Sequence, residues 1–167
     1  MDVLFTSMLI TSIIITDVQM NVQLLRGIIM YKRKKNQPYY TNRHSCFFLQ
    51  YHLVLVTKDR KPILFGPVKD LVYQTIQTIC DEKGLVILEM NGEADYVHLL
   101  LEADPFTCVG ELVNVIKTKT SRFARKQYGD TLLKPYYEKP LFWSNSYLVT
   151  SVSENSLTNI KTYLQNQ

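Results

Sequence analysis

LVILEMNGEADYVHLLLEA, residues 85 to 103, holds two short apolar runs, Leu85–Met90 and Tyr96–Ala103, on either side of an Asn91-Gly92 pair. Runs of this length rich in branched residues suit strands, and Asn-Gly readily adopts the positive φ of a tight hairpin turn. The stretch therefore predicts two antiparallel neighbours. Along the second run alternate residues share a face, so Tyr96 and His98 point one way while Val97 and Leu99 point the other.

Working outward, Cys46 to Thr57 (CFFLQYHLVLVT) has the aromatic and β-branched content of a buried strand, closed by the turn residues Lys58-Asp59-Arg60-Lys61-Pro62. Residues 67–83 predict a helix, with Pro67 at its start, Gly84 at its end, and Val68, Leu71, Val72, Ile76, Ile79 and Cys80 at helical spacing. A second helix is expected over 108–127. Counting 100° per residue sets Leu112, Val113, Ile116, Thr120 and Phe123 on one face and Lys119, Arg122, Arg125 and Lys126 mostly opposite.

Residues 128–140, with Gly129, Pro135 and Pro140, read as a loop, and Leu141 to Val152 (LFWSNSYLVTSV) as the last strand. A final helix follows, with Ser153 as N-cap, Glu154 in the first turn and an apolar stripe of Leu157, Ile160 and Leu164. The order defines an α+β fold: a ferredoxin-like β-α-β-β-α-β core with an antiparallel sheet, plus a C-terminal helix that bears Tyr163.

A chain of 167 residues holds one such domain and an extension. Its 46% apolar and 20% charged residues are those of a globular protein, which excludes a disordered or fibrous class. The apolar stretch Val3 to Thr16 closes at Asp17, short of a membrane span, and lacks the basic start and small-residue cleavage site of a signal peptide. Residues 1–38 are thus expected to be an N-terminal extension with a basic arm, native translation beginning at Met30, and residues 39–167 the domain. Cys46, Cys80 and Cys108 are odd in number and form no CxxC pair, so neither a disulfide framework nor a structural zinc site is indicated and a reducing cytoplasm is the expected compartment.

The formal charge of +4 permits a polyanionic partner without requiring one. Its distribution says more, because the cations cluster at Lys32, Arg33, Lys34 and Lys35 and again at Lys117, Lys119, Arg122, Arg125 and Lys126. Such patches favour nucleic acid, although a solvated basic helix face has the same composition. Phe123, placed on the packing side, is not expected to stack on bases.

Spacing alone leaves the chemistry open. His98 is either a metal ligand or a half-buried strand residue. Tyr163, with Gln167 four residues on along the same helix face, is either a nucleophile or the border of a packing stripe.

Five blocks taken together narrow the choice: YHLVLVTKDRKPIL (51–64), ILEMNGEADYVHLLLEA (87–103), IKTKTSRFARK (116–126), LFWSNSYLV (141–149) and SENSLTNIKTYLQNQ (153–167). In this order and spacing the chain resembles the insertion-sequence transposases of the TnpA, HUH single-tyrosine type, within the REP-associated tyrosine transposase-like superfamily. The resemblance covers nearly all of residues 39–167. It implies a homodimer that binds single-stranded DNA at subterminal hairpins and cuts and rejoins one strand through a 5′-phosphotyrosine intermediate. It also implies a divalent cation, Mg²⁺ or Mn²⁺, held by two histidines of a His-hydrophobic-His strand and a glutamine of the tyrosine helix. By motif match Tyr163 would be the nucleophile, His98 the second histidine and Gln167 the helix-borne ligand. The basic residues Lys119, Arg122, Arg125 and Lys126 would contact DNA, and no membrane association is implied.

The chain departs from that pattern at one position. Tyr96 stands where the family has its first histidine, and a neutral phenol is a much weaker ligand for a hard cation than imidazole or carboxylate. Two readings follow: a working cleavage enzyme with a rebuilt metal shell, or a cleavage-impaired descendant that only binds DNA hairpins. Asp95, Glu93, a bound water or a terminal carboxylate on Gln167 could supply oxygen in the first case, although Asp95 falls on the opposite face of a regular strand.

Overall fold

In the computed structural model, which describes residues 32–33, 39–41, 43–136, 141–152 and 156–166, the strand Leu49–Val56 (β1) lies at the centre of the sheet. Leu53, Val54, Leu55 and Val56 are all fully buried, so both faces of β1 are covered and its sequence is an unbroken apolar run rather than an alternation. Antiparallel to it on one side runs Tyr96–Ala103 (β3), paired from Leu49 with Ala103 to Val56 with Tyr96. Leu148–Ser151 (β4) pairs antiparallel on the other side, and Val86–Gly92 (β2) completes the sheet beyond β3. The order β2-β3-β1-β4, with helices between β1 and β2 and between β3 and β4, is the ferredoxin-like arrangement.

The two helices, Gly66–Glu82 (α1) and Val109–Tyr128 (α2), cover one face. Their inward residues, including Val72, Ile76, Ile79, Val113 and Ile116, join Leu53, Leu55, Val97, Leu99 and Leu101 of the sheet in the main core. Pro67 sits in the first turn of α1, and Gly84 just beyond its end has φ +70°. The other face carries a smaller core, where Ile160 of the C-terminal helix Ser156–Gln165 (α3) meets Val54 and Val56, with Tyr96, Leu148, Tyr163 and Leu164 packed around them.

Several local expectations are corrected. Asn91-Gly92 is not the turn. Asn91 and Gly92 pair with His98 and Val97 inside the ladder, and Glu93 to Asp95 make the turn, held by hydrogen bonds from Leu64 N to Ala94 O and from Thr57 N to Asp95 O. Gly92 has φ +147°, and a Cβ there would stand 2.2 Å from the Tyr96 carbonyl oxygen, so glycine serves close strand approach rather than a hairpin loop. The first core strand begins at Leu49, because Cys46–Phe47 pairs instead with Tyr40–Thr41, which pairs in turn with Lys32–Arg33 in a separate small sheet. The chain divides into two compact units between Phe47 and Phe48.

Downstream, α2 passes into a π-helical turn, Gly129–Leu133, where a loop was expected, because Leu133 is drawn into the main core. The last strand is only Leu148–Ser151. The residues before it leave the sheet after a single bridge between Thr57 and Trp143, which lets Phe142 and Trp143 enter the core. Ala124, not Phe123, takes the inward position near the end of α2, and Phe123 lies 43% exposed beside Leu71 at the rim of the α1–α2 seam. The expected cap at Ser153 and Glu154, residues 1–31 and Gln167 lie outside the described residues. Among the described residues no helix is long and apolar enough to cross a membrane.

Candidate functional site

The site lies on the sheet face covered by α3. Directly paired residues of an antiparallel sheet point the same way, so the pairs Val56–Tyr96, Val54–His98, His52–Leu100 and Asn91–His98 define one face across three strands. This face brings Tyr96 and His98 together as alternation requires, and it adds His52. The two imidazoles meet edge to edge in nearly one plane, with centroids 5.1 Å apart and planes 17° apart, and His52 Nδ1 lies 2.8 Å from His98 Nε2. His98 Nδ1 contacts Asn91 Oδ1 at 3.1 Å, and the Asn91 amide donates to Glu89 Oε1 at 2.5 Å. Burial, and then the neighbouring His52, push His98 below the usual histidine range, so a neutral imidazole is favoured there.

Sequence reasoning missed His52. Its parity with Val54 and Val56 was visible, but only the register of β1 against β3 tells that this parity meets His98.

Tyr163 reaches the same face through α3. One turn from the buried Ile160, it is half-buried against the small core of Val54, Val56 and Ile160, and its phenol donates to Ser146 Oγ at 3.3 Å. The Ser146 segment is itself anchored: Lys117 Nζ donates to the carbonyls of Ser144, Asn145 and Ser146 at 2.7, 3.2 and 2.9 Å and lies 5.4 Å from the Tyr147 ring centre. This enclosure lowers the Lys117 pKa through desolvation. A further tie comes from Arg60, whose guanidinium donates to the Leu164 carbonyl at the end of α3 and pairs with Asp95 at 2.7 Å. Arg60 and Asp59 occupy the left-handed backbone region, at φ 51° and 56°, in the turn that directs the Arg60 side chain.

The basic residues divide. Arg122 and Lys126 are exposed on α2. Lys119 pairs with Glu82 at 3.2 Å, both side chains being about half exposed at 44% and 57%, a contact of small net energy. Arg125 donates to the Leu141 carbonyl and so fastens α2 to the chain ahead of Phe142.

As a ligand set for a divalent cation, position 96 fits poorly. Burial, followed by the charges of Glu93 and Asp95, raises the Tyr96 pKa, which keeps the phenol protonated. Asp95 is held by Arg60. Among the described residues no group of three His, Cys, Asp or Glu converges as a ready cation site. The His52 and His98 nitrogens are the donors that do converge, on a face reached by the tyrosine helix.

Comparison with known proteins gives the class first, transposases of insertion sequences. The chain is 32% identical over 124 residues to the transposase for insertion sequence element IS200 of Salmonella typhimurium, covering 74% of this chain and 80% of that one. It is 31% identical over 125 residues to the ISDra2 transposase TnpA of Deinococcus radiodurans, covering 75% and 88%. A crystal structure of a Deinococcus radiodurans protein assigned as a transposase superposes with a TM-score of 0.69 at 31% identity, over 76% of this chain and 96% of that one. The family model for IS200-like transposases matches residues 45–167, and the chain belongs to that family. Its function is therefore that of an insertion-sequence transposase, in DNA transposition.

Proposed function

We propose that the protein cuts and rejoins single-stranded DNA at hairpin-bearing element ends, acting as a homodimer in the cytoplasm with Tyr163 as nucleophile. The observation that carries this reading is the docking of the Tyr163 phenol on the sheet face that bears His98. In the step inferred, the Tyr163 oxygen attacks a backbone phosphorus, the phenol gives up its proton, and the bond to the 3′ oxygen breaks as that oxygen takes one up. The products are a 5′-phosphotyrosine and a free 3′-OH, and attack by a 3′-OH reverses the step without a nucleotide cofactor. A divalent cation, Mg²⁺ or Mn²⁺, held by His98 and in the family's pattern by Gln167, would polarise the phosphate and stabilise charge developing on it. The chain's own residues do the positioning: Ser146 accepts the phenol hydrogen bond, Lys117 orders the Ser146 segment, and Arg60 secures the end of α3.

The exposed cations Arg122 and Lys126 suit phosphate contacts, and Lys119 can exchange Glu82 for phosphate at little cost. Labelled single-stranded element ends incubated with Mn²⁺ or Mg²⁺ test the reading. The expected outcome is a covalent protein–DNA adduct that Tyr163→Phe abolishes; an adduct undiminished in that variant refutes it. The raised pKa and packed position of Tyr96 favour a second reading, a descendant that binds DNA hairpins without cutting them.

A further inference from the structure

We propose that His52 supplies the imidazole that position 96 lacks, so that a divalent cation is held by His52 Nδ1 and His98 Nε2, on two neighbouring strands, instead of by two histidines of one strand. The inference rests on the metal-dependent reading above and names the ligands that make it work in this chain.

Three observations carry it. The first is placement. His52 and His98 are diagonal neighbours on the face that receives α3, and their nitrogens stand 2.8 Å apart. Two nitrogens each about 2.1 Å from one ion at right angles lie about 3 Å apart, so both can serve adjacent positions of an octahedral shell once each ring, which here faces the other head-on, turns its lone pair about 45° off the line between them.

The second is the tautomer. Asn91 Nδ2 is committed to Glu89 Oε1, which turns Asn91 Oδ1 toward His98 Nδ1. An amide oxygen only accepts, so His98 Nδ1 carries the proton and its Nε2 lone pair faces His52. This carboxylate-amide-imidazole series is the kind of outer support that holds a metal-binding histidine in one orientation. With no cation bound, His52 Nδ1–H donates to that lone pair; to bind a cation, His52 moves its proton from Nδ1 to Nε2.

The third is the use made of position 96. The Tyr96 side chain packs against the smaller core of Val54, Val56 and Ile160, the core on which α3 docks. A pair of imidazoles also has a consequence for selectivity, because nitrogen donors favour Mn²⁺ and later first-row ions over Mg²⁺.

The test uses the full chain. Mn²⁺ is titrated into the wild type and the His52→Gln, His98→Gln and Tyr96→Phe variants, and free Mn²⁺ is followed by electron paramagnetic resonance. One ion per chain is expected, weakened by at least about 10-fold by either histidine substitution, since loss of even an outer-shell partner costs that much, and unchanged by Tyr96→Phe. Unchanged affinity in His52→Gln, or loss in Tyr96→Phe, overturns the proposal. Because His52 is buried and its variant could misfold, ¹⁵N spectra of the wild-type imidazoles with Zn²⁺ give an independent answer. His52 is expected to shift its proton to Nε2; a spectrum in which only His98 responds overturns the proposal. The two readings fail separately. A Tyr163–DNA adduct formed with Mn²⁺ at an undiminished rate in a folded His52→Gln variant sinks the role of His52 alone. His52-dependent Mn²⁺ binding with no adduct sinks the cleavage reading alone.

Discussion

Lys117 and Ser146 are joined through the serine's backbone, with Nζ donating to the Ser146 carbonyl at 2.9 Å, while the hydroxyl of the same serine accepts from Tyr163. The ammonium thus acts on the tyrosine through a short loop rather than by contact. Lys117→Met keeps the aliphatic stem and removes all three carbonyl bonds. Because misplacing a reacting group by about 1 Å can cost about 100-fold, adduct formation is expected to fall about 10- to 100-fold. Affinity for single-stranded DNA should stay within about threefold; a parallel loss of binding, read by fluorescence anisotropy, would instead make Lys117 a DNA contact.

Tyr96→His puts an imidazole at the position where the resemblance implies one. If His52 already supplies that donor, the cleavage rate should change by less than about threefold. A rise of tenfold or more would favour the binding-only descendant, with a site crippled by the phenol. Single-turnover cleavage of a labelled strand separates the two.

Thr120 illustrates a polar group buried for a reason. Its hydroxyl donates to Ile116 O at 2.6 Å and accepts from the Trp143 indole N–H at 2.9 Å, inside the main core. Thr120→Val keeps the shape and strands the indole donor, an expected loss of about 1–3 kcal/mol. Urea unfolding measures it, and a change below about 0.5 kcal/mol would mean that the indole finds another partner.

Cys80 is fully buried in α1, and burial, with a smaller contribution from Asp81, pushes its thiol up to about 12. A raised folded-state pKa means that the fold prefers the neutral thiol. That contribution is complete below the ordinary value of 9.0 and is lost as pH climbs from there toward about 12. A thiol reagent at pH 8 should therefore label exposed Cys46 and Cys108 quickly and reach Cys80 only on unfolding. Fast labelling of all three sites, read by mass spectrometry, contradicts this.

The core order was legible because Val97, Leu99 and Leu101 alternate with Tyr96 and His98, and because Pro67 and Gly84 bracket α1. What escaped was decided between distant segments. Asn91-Gly92 has the composition of a turn, yet the Leu64 and Thr57 amides bind the carbonyls of Ala94 and Asp95 and move the turn to Glu93–Asp95. Leu141 to Tyr147 has strand-forming composition, but the core takes Phe142 and Trp143 out of the ladder. At the candidate site, the strand that carries His98 and the helix that carries Tyr163 were legible from their own blocks. His52 did not, because no periodicity within β1 reveals which residue stands beside it on β3.

The sheet has a thick apolar side and a thin one, and the tyrosine belongs to the thin one. Among the described residues, twenty buried side chains form the core under α1 and α2, against three in the core that receives α3. A helix docked on the smaller core is expected to exchange its amide hydrogens faster than the central strands, whose histidines would stay in register. The tyrosine proposed as nucleophile thus rides on the helix that docks on the thinner core, while His52 and His98 belong to the central strands.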